Sequence, residues 1–165
     1  MFKNRFISGQ YKTHAVWAAE SGLKNKGIYC ENGSAFLLGD TTYTGLSMSK
    51  FDEKAARDVK AFGRKIEVKG NRGAFQMFRL PGESKAEYMA RYLSKASATV
   101  YCFTVMRGAK NLNGKMDLFL LDKKDAAEYV INSRHWDFEK RPGGEVLRWK
   151  CGFVEDEDLL MSFIH

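Results

Sequence analysis

Residues 99–106 read Thr-Val-Tyr-Cys-Phe-Thr-Val-Met, eight in a row that are apolar, β-branched or aromatic, with no charge among them. A half-exposed strand alternates apolar with polar residues, so an unbroken run of this kind is the pattern of a strand covered on both faces. A sheet containing it needs a packing layer on each side. Residues 116–121 supply another strand. Helical spacing accounts for much of the rest. Ser84 and Glu87 form a capping box ahead of Met89, Tyr92, Leu93 and Ala96. Asp122 caps a further helix, in which Ala126, Ala127, Val130 and Ile131 make the buried stripe and Asp125 favours the amino end.

Earlier in the chain the signals are weaker. Residues 9–24 are expected to be a helix, with Ala15, Ala18, Ala19 and Leu23 near one face and a basic, glycine-stopped exit at 24–27. Residues 28–48 read as loops with one short strand. Residues 64–69 form a strand in which Ile66 and Val68 alternate with Lys65, Glu67 and Lys69, ending at Gly70. The order of helix, strands, helix, strands, helix predicts an α/β fold, a central mixed β-sheet flanked by helices.

With 165 residues and neither a repeat nor a linker, residues 1–165 are expected to form a single domain. A content of 44% apolar residues is too rich for a disordered chain. No stretch reaches the roughly 18 to 20 apolar residues that span a bilayer, so the reading is a soluble, intracellular protein without membrane contact. Cys30, Cys102 and Cys151 are odd in number and far apart, and His14, His135 and His165 are scattered. A disulfide framework, a zinc site and a cysteine–histidine pair therefore have no support. The formal net charge of +7 attracts polyanions, with nucleic acid the first candidate.

Residues 56–70 carry the most chemistry. A hairpin turning at Phe62 and Gly63 sets Asp58 directly opposite Glu67, because equal numbers of residues separate each from the turn. Opposed residues share a face, with Cβ atoms about 4.5 to 5.5 Å apart. Lys69, two residues past Glu67, falls on that face too, while Ile66 and Val68 anchor the other. Two carboxylates this close repel unless a cation lies between them, and hard oxygen ligands suit Mg²⁺, with Mn²⁺ as the alternative. Such a site on a basic protein points to hydrolysis of phosphodiesters, with Lys69 orienting the attacking water or offsetting developing charge. A rival reading also fits. Residues 50–62 match a helix capped by Ser49, with Phe51, Ala55, Val59 and Phe62 at helical spacing. Asp58 would then be solvated, and Asp40, after a short apolar run, would be the substitute acid.

In these residues the chain resembles the PD-(D/E)XK nuclease superfamily, whose signature is an acid followed across a β-turn by an apolar residue and Glu-x-Lys. Asp58 and then Ile66-Glu67-Val68-Lys69 match in order and spacing, with Arg57 where the family's leading proline would stand. The likeness spans roughly residues 50–132 and is nearest to small type II restriction endonucleases. It implies a restriction-endonuclease-like core, Asp58 and Glu67 as ligands of Mg²⁺ and Lys69 as the catalytic lysine. Several members add a glutamate from the first helix, a role open here to Glu20. The activity implied is metal-dependent cleavage of DNA, double-stranded, by a homodimer that supplies one site per strand. The cellular setting implied is the cytoplasm of a bacterial or phage-infected cell.

Around this segment, Lys60, Arg64, Lys65, Arg72 and Arg79 are candidate phosphate contacts, and Asn71 and Gln76 can touch base edges. Towards the carboxyl end, Arg134, His135, Trp136, Lys140, Arg141, Arg148, Trp149 and Lys150 mix basic with aromatic residues. That mixture is either a nucleic-acid surface or core and rim. A non-catalytic alternative uses the same charge without a metal, as a basic nucleic-acid-binding or phage regulatory or inhibitor protein. Opposed carboxylates separate the two, since acids facing a polyanion repel it.

Overall fold

A computed structural model describes residues 2–11, 26–43, 58–70, 73–106, 115–150 and 153–165. In chain order these form β1 (Arg5–Gln10), α1 (Lys26–Leu37), β2 (Val59–Ala61), β3 (Arg64–Gly70), α2 (Lys85–Lys95), β4 (Val100–Met106), β5 (Lys115–Asp122), α3 (Lys123–Asn132), β6 (Trp136–Arg141), β7 (Gly144–Trp149) and α4 (Glu157–Met161). The five-stranded sheet runs β1-β5-β4-β3-β2, and β6 and β7 pair as a separate hairpin. β3 and β4 are parallel and the other pairings antiparallel, so the sheet is mixed. A parallel neighbour needs a crossover, and α2 supplies it. No helix among the described residues is long and apolar enough to cross a membrane.

β4 is buried along its whole length, as its composition demands. Alternate residues feed two cores. Val100, Cys102 and Met106 pack with Ile66, Val68, Leu118 and Leu120 on the α1 face, while Tyr101, Phe103 and Val105 pack with Met89, Ala126, Tyr129 and Val130 on the opposite face. Both expected caps form: Ser84 and Glu87 make the reciprocal capping box of α2, and Asp122 accepts from the Asp125 amide at the start of α3.

Two sequence expectations need correction. Gly9 and Gln10 belong to a strand, not a helix, because β1 pairs with β5 through both residues; residues 12–25 lie outside the described residues. Residues 28–37, read as loop and strand, belong to α1. The cause is close packing at glycine. A Cβ on Gly70 would lie 2.6 Å from the Cys30 sulfur, so the bare backbone of β3 lets α1 sit directly on the sheet. Ser34 and Thr104 hydroxyls, 2.7 Å apart, fasten the same helix to β4. Of the two readings of the carboxyl-terminal aromatics, core and rim is the one that holds for the tryptophans. Trp136 and Trp149 stack at 5.6 Å and 15° and are fully buried.

Phe62 and Gly63 form the β2–β3 turn at φ of +54° and +67°. Two consecutive left-handed residues make the turn whose twist matches a two-residue hairpin, and Asn-Gly is its favoured sequence. A phenylalanine held there costs about 1 to 2 kcal/mol.

Candidate active site

The hairpin register is Val59 with Ile66, Lys60 with Lys65 and Ala61 with Arg64. Asp58 immediately precedes the ladder, and the same sum of positions sets it opposite Glu67. The helical reading of residues 50–62 therefore fails at 58–62, and its earlier part, with the Ser49 cap, lies outside the described residues, as do all of residues 44–57. β3 is registered on β4 with Glu67 beside Tyr101 and Lys69 beside Phe103, so both face α2, while Ile66 and Val68 turn to the α1 core. Asp40, the substitute acid, is engaged in the loop after α1 and braces the backbone of β2. It is buried, and its carboxylate accepts from the Lys60 amide at 2.8 Å and from the Thr42 amide and hydroxyl. That is a loop brace.

Lys69 is held from three sides. Its ammonium lies 3.2 Å from Glu67 Oε2, donates to the Ala74 carbonyl at 2.9 Å and sits 4.9 Å above the Phe75 ring. The Tyr92 hydroxyl, from α2, lies 2.7 Å from each oxygen of Glu67. Ser97, just past α2, reaches Asp58 at 3.4 Å. Two adjoining clefts of about 240 and 420 Å³ share Asp58, Glu67, Gln76 and Tyr92 as walls. The Tyr101 hydroxyl is buried without a hydrogen-bond partner; burial first, then the charges of Glu67 and Asp58, hold its proton on.

The smaller cleft has a third acid that the sequence reading missed. Glu31, on α1, lines it together with Lys69 and accepts from the Tyr43 hydroxyl at 3.2 Å. The Gly70–Cys30 contact puts it there, because Glu31 follows Cys30 on the helix pressed against β3. One signal was available: Glu31 is the single charge in residues 27–39. Glu20, the helix acid named from the resemblance, lies outside the described residues.

Loss of hydration raises the Asp58 pKa, and the neighbouring Glu67 raises it further. Glu31 is raised for the same first reason, with the Tyr43 hydrogen bond and Lys69 opposing and Glu67 and Asp58 adding. A carboxyl whose folded pKa lies above its unfolded value favours unfolding once ionised, fully above the folded pKa and not at all below the unfolded one. Glu31→Gln is therefore expected to stabilise the protein at pH 7 by about 1 kcal/mol, a rise in thermal midpoint of roughly 2 to 4 °C. The gain should vanish as pH falls below the ordinary value of 4.5. Thermal melts of both proteins from pH 3.5 to 8 check it, and a gain that grew on acidification would contradict it.

The other named residues divide. Gln76 is exposed and lines both clefts. Lys60, Arg64 and Lys65 border a separate hollow at the hairpin tip. Asn71 and Arg72 lie outside the described residues. Arg79 does not point to phosphate. It donates to the Glu83 carbonyl at 2.7 Å, lies 3.4 Å from Glu145 and stacks 3.9 Å over Phe138. Arg148 is bound to Glu139 at 2.7 Å.

The donor set suits a hard divalent ion, with three carboxylates on one cleft and oxygen as their only ligating atom. Among the described residues, no three His, Cys, Asp or Glu side chains converge on one point as they stand. Compared with protein-family models, with curated proteins and with solved structures, the chain has no significant match.

Proposed function

We propose that this chain is a metal-dependent DNA endonuclease built on a restriction-endonuclease-like core. The observation that carries the reading is the meeting of Asp58, Glu67 and Lys69 on one face beside a shared cleft, with Glu31 closing it from α1. The element order supports it: a helix, an acid-bearing hairpin, a crossover helix, then a strand parallel to the second arm of the hairpin.

Asp58 and Glu67, joined by Glu31, would hold Mg²⁺ or Mn²⁺. When bound, such an ion polarises a phosphoryl oxygen and acidifies the attacking water. Lys69 is fixed by the Ala74 carbonyl and by Glu67, so its charge stays at the cleft wall when substrate arrives. There it orients the water or balances charge that grows on the phosphoryl oxygens. Gln76 stands at the mouth, where a strand would lie, and Lys60, Arg64 and Lys65 would meet backbone phosphates at the hairpin tip. Cutting both strands of a duplex needs two such sites, hence a homodimer acting on cytoplasmic DNA.

The internal satisfaction of Glu67 by Tyr92 and Lys69 is the observation that favours the rival, a basic nucleic-acid binder in which the acids only brace the hairpin. Supercoiled plasmid separates the two. Wild-type protein with Mg²⁺ or Mn²⁺ should yield nicked and linear forms, EDTA should stop this, and Glu67→Ala should slow it by about a thousandfold. Nicking that survives Glu67→Ala refutes the assignment of the site. A folded wild type that binds nucleic acid yet cuts neither plasmid, junction nor RNA is the binder.

A further inference from the structure

We infer that Phe62 is a wedge that enters a base step of duplex DNA a few base pairs from the cleavage site, an inference that rests on the DNA reading above. Phe62 is the only non-glycine residue at positive φ among the described residues, and it is 43% exposed. A bulky apolar side chain at the tip of a hairpin gains little from folding there, and the turn would be more at ease with asparagine. Strain of this kind collects where a side chain has a task outside the fold.

The surroundings identify the partner. Lys60, Arg64 and Lys65 flank the turn, no acid occurs in residues 59–66, and the Arg5 guanidinium lies 4.2 Å over the ring. Cations around an exposed aromatic ring fit a phosphate-lined polymer with stacked bases inside it, and phenylalanine is among the side chains that pry base steps apart. The spacing also fits. Phe62 lies four residues beyond Asp58, roughly 13 Å along an extended strand, or about four base-pair rises from a phosphate held at the acids. The competing account is a clamp: Phe2, 6.1 Å from the ring, and Arg5 hold it to tie the hairpin to the amino-terminal segment.

Phe62→Asn separates wedge from clamp, because it supplies the favoured turn sequence while removing the ring. Binding is read in EDTA at low salt by anisotropy of labelled duplexes carrying 2-aminopurine, whose fluorescence rises on unstacking. For the wild type we expect a fluorescence rise. For Phe62→Asn we expect that rise to disappear, the dissociation constant to increase about tenfold and the thermal midpoint to hold or increase; Phe62→Trp should restore affinity. An affinity within twofold of wild type for Phe62→Asn, or no unstacking signal from the wild type, overturns the wedge. If the wild type binds no duplex, both the wedge and the endonuclease reading fall. If it binds, unstacks and never cleaves, the wedge stands and the endonuclease reading falls.

Discussion

Lys69→Met is expected to reduce single-turnover cleavage of plasmid DNA by about a thousandfold while leaving DNA affinity within roughly threefold. Methionine keeps the unbranched stem and removes only the charge, so packing against Phe75 survives. The lysine is 9% exposed and contributes little to long-range attraction of a polyanion, which the hairpin tip and the rest of the surface supply. In the proposed reaction its position beside Glu67 gives it a part in the chemical step. Lys69→Arg keeps the charge but not the compact ammonium that donates to Ala74, and should recover only part of the rate. Circular dichroism confirms folding of each variant, and rapid-quench assays give the rates. A folded Lys69→Met protein that cuts at the wild-type rate would remove the lysine from the mechanism.

Asp156→Ala is expected to cost about 3 to 5 kcal/mol of stability although it lies outside the cleft. Asp156 is 2% exposed, and one oxygen accepts from the Tyr129 hydroxyl at 2.5 Å, the Ser133 hydroxyl at 2.8 Å and the Trp149 indole at 3.2 Å. Those donors come from α3, its carboxyl-terminal cap and β7, so a single carboxylate ties the second hairpin and the chain end to the helix layer. Truncation leaves these buried donors short of an acceptor, and each such group carries a penalty of about 1 to 3 kcal/mol. Asp156→Asn keeps an acceptor oxygen and should lose less than half as much. Urea unfolding curves measure both, and a loss under about 1 kcal/mol for alanine would mean that the network relaxes around the gap.

What the sequence made legible follows from how local the determinants are. The register of β2 on β3 depends on a two-residue turn, so counting outward from Phe62 and Gly63 brings Asp58 opposite Glu67 once a hairpin is supposed, while helical spacing over residues 50–62 leaves that supposition open. The α2 and α3 boundaries are written in Ser84, Glu87, Asp122 and Asp125, which act within one helical turn. By contrast, α1 has no acid in its first turn, no base in its last, and a glycine at its centre. Gly33 exists to admit Met116, whose sulfur would lie 2.4 Å from a Cβ there, and Gly70 exists to admit Cys30. Contacts between residues so distant in the chain leave no periodic trace, and Glu31 went unread with its helix. β1 was hidden likewise: it is an edge strand, mostly exposed, with no apolar face to advertise it.

The turn at Phe62 and Gly63 also limits how this chain can change. Side chains alternate across a strand, so one residue gained or lost between Ala61 and Arg64 would offset the arms by one place and swing Asp58 away from Glu67. Elsewhere loops drift in length with little penalty. Here, so long as Asp58 and Glu67 act as the pair proposed above, the turn can neither gain nor lose a residue.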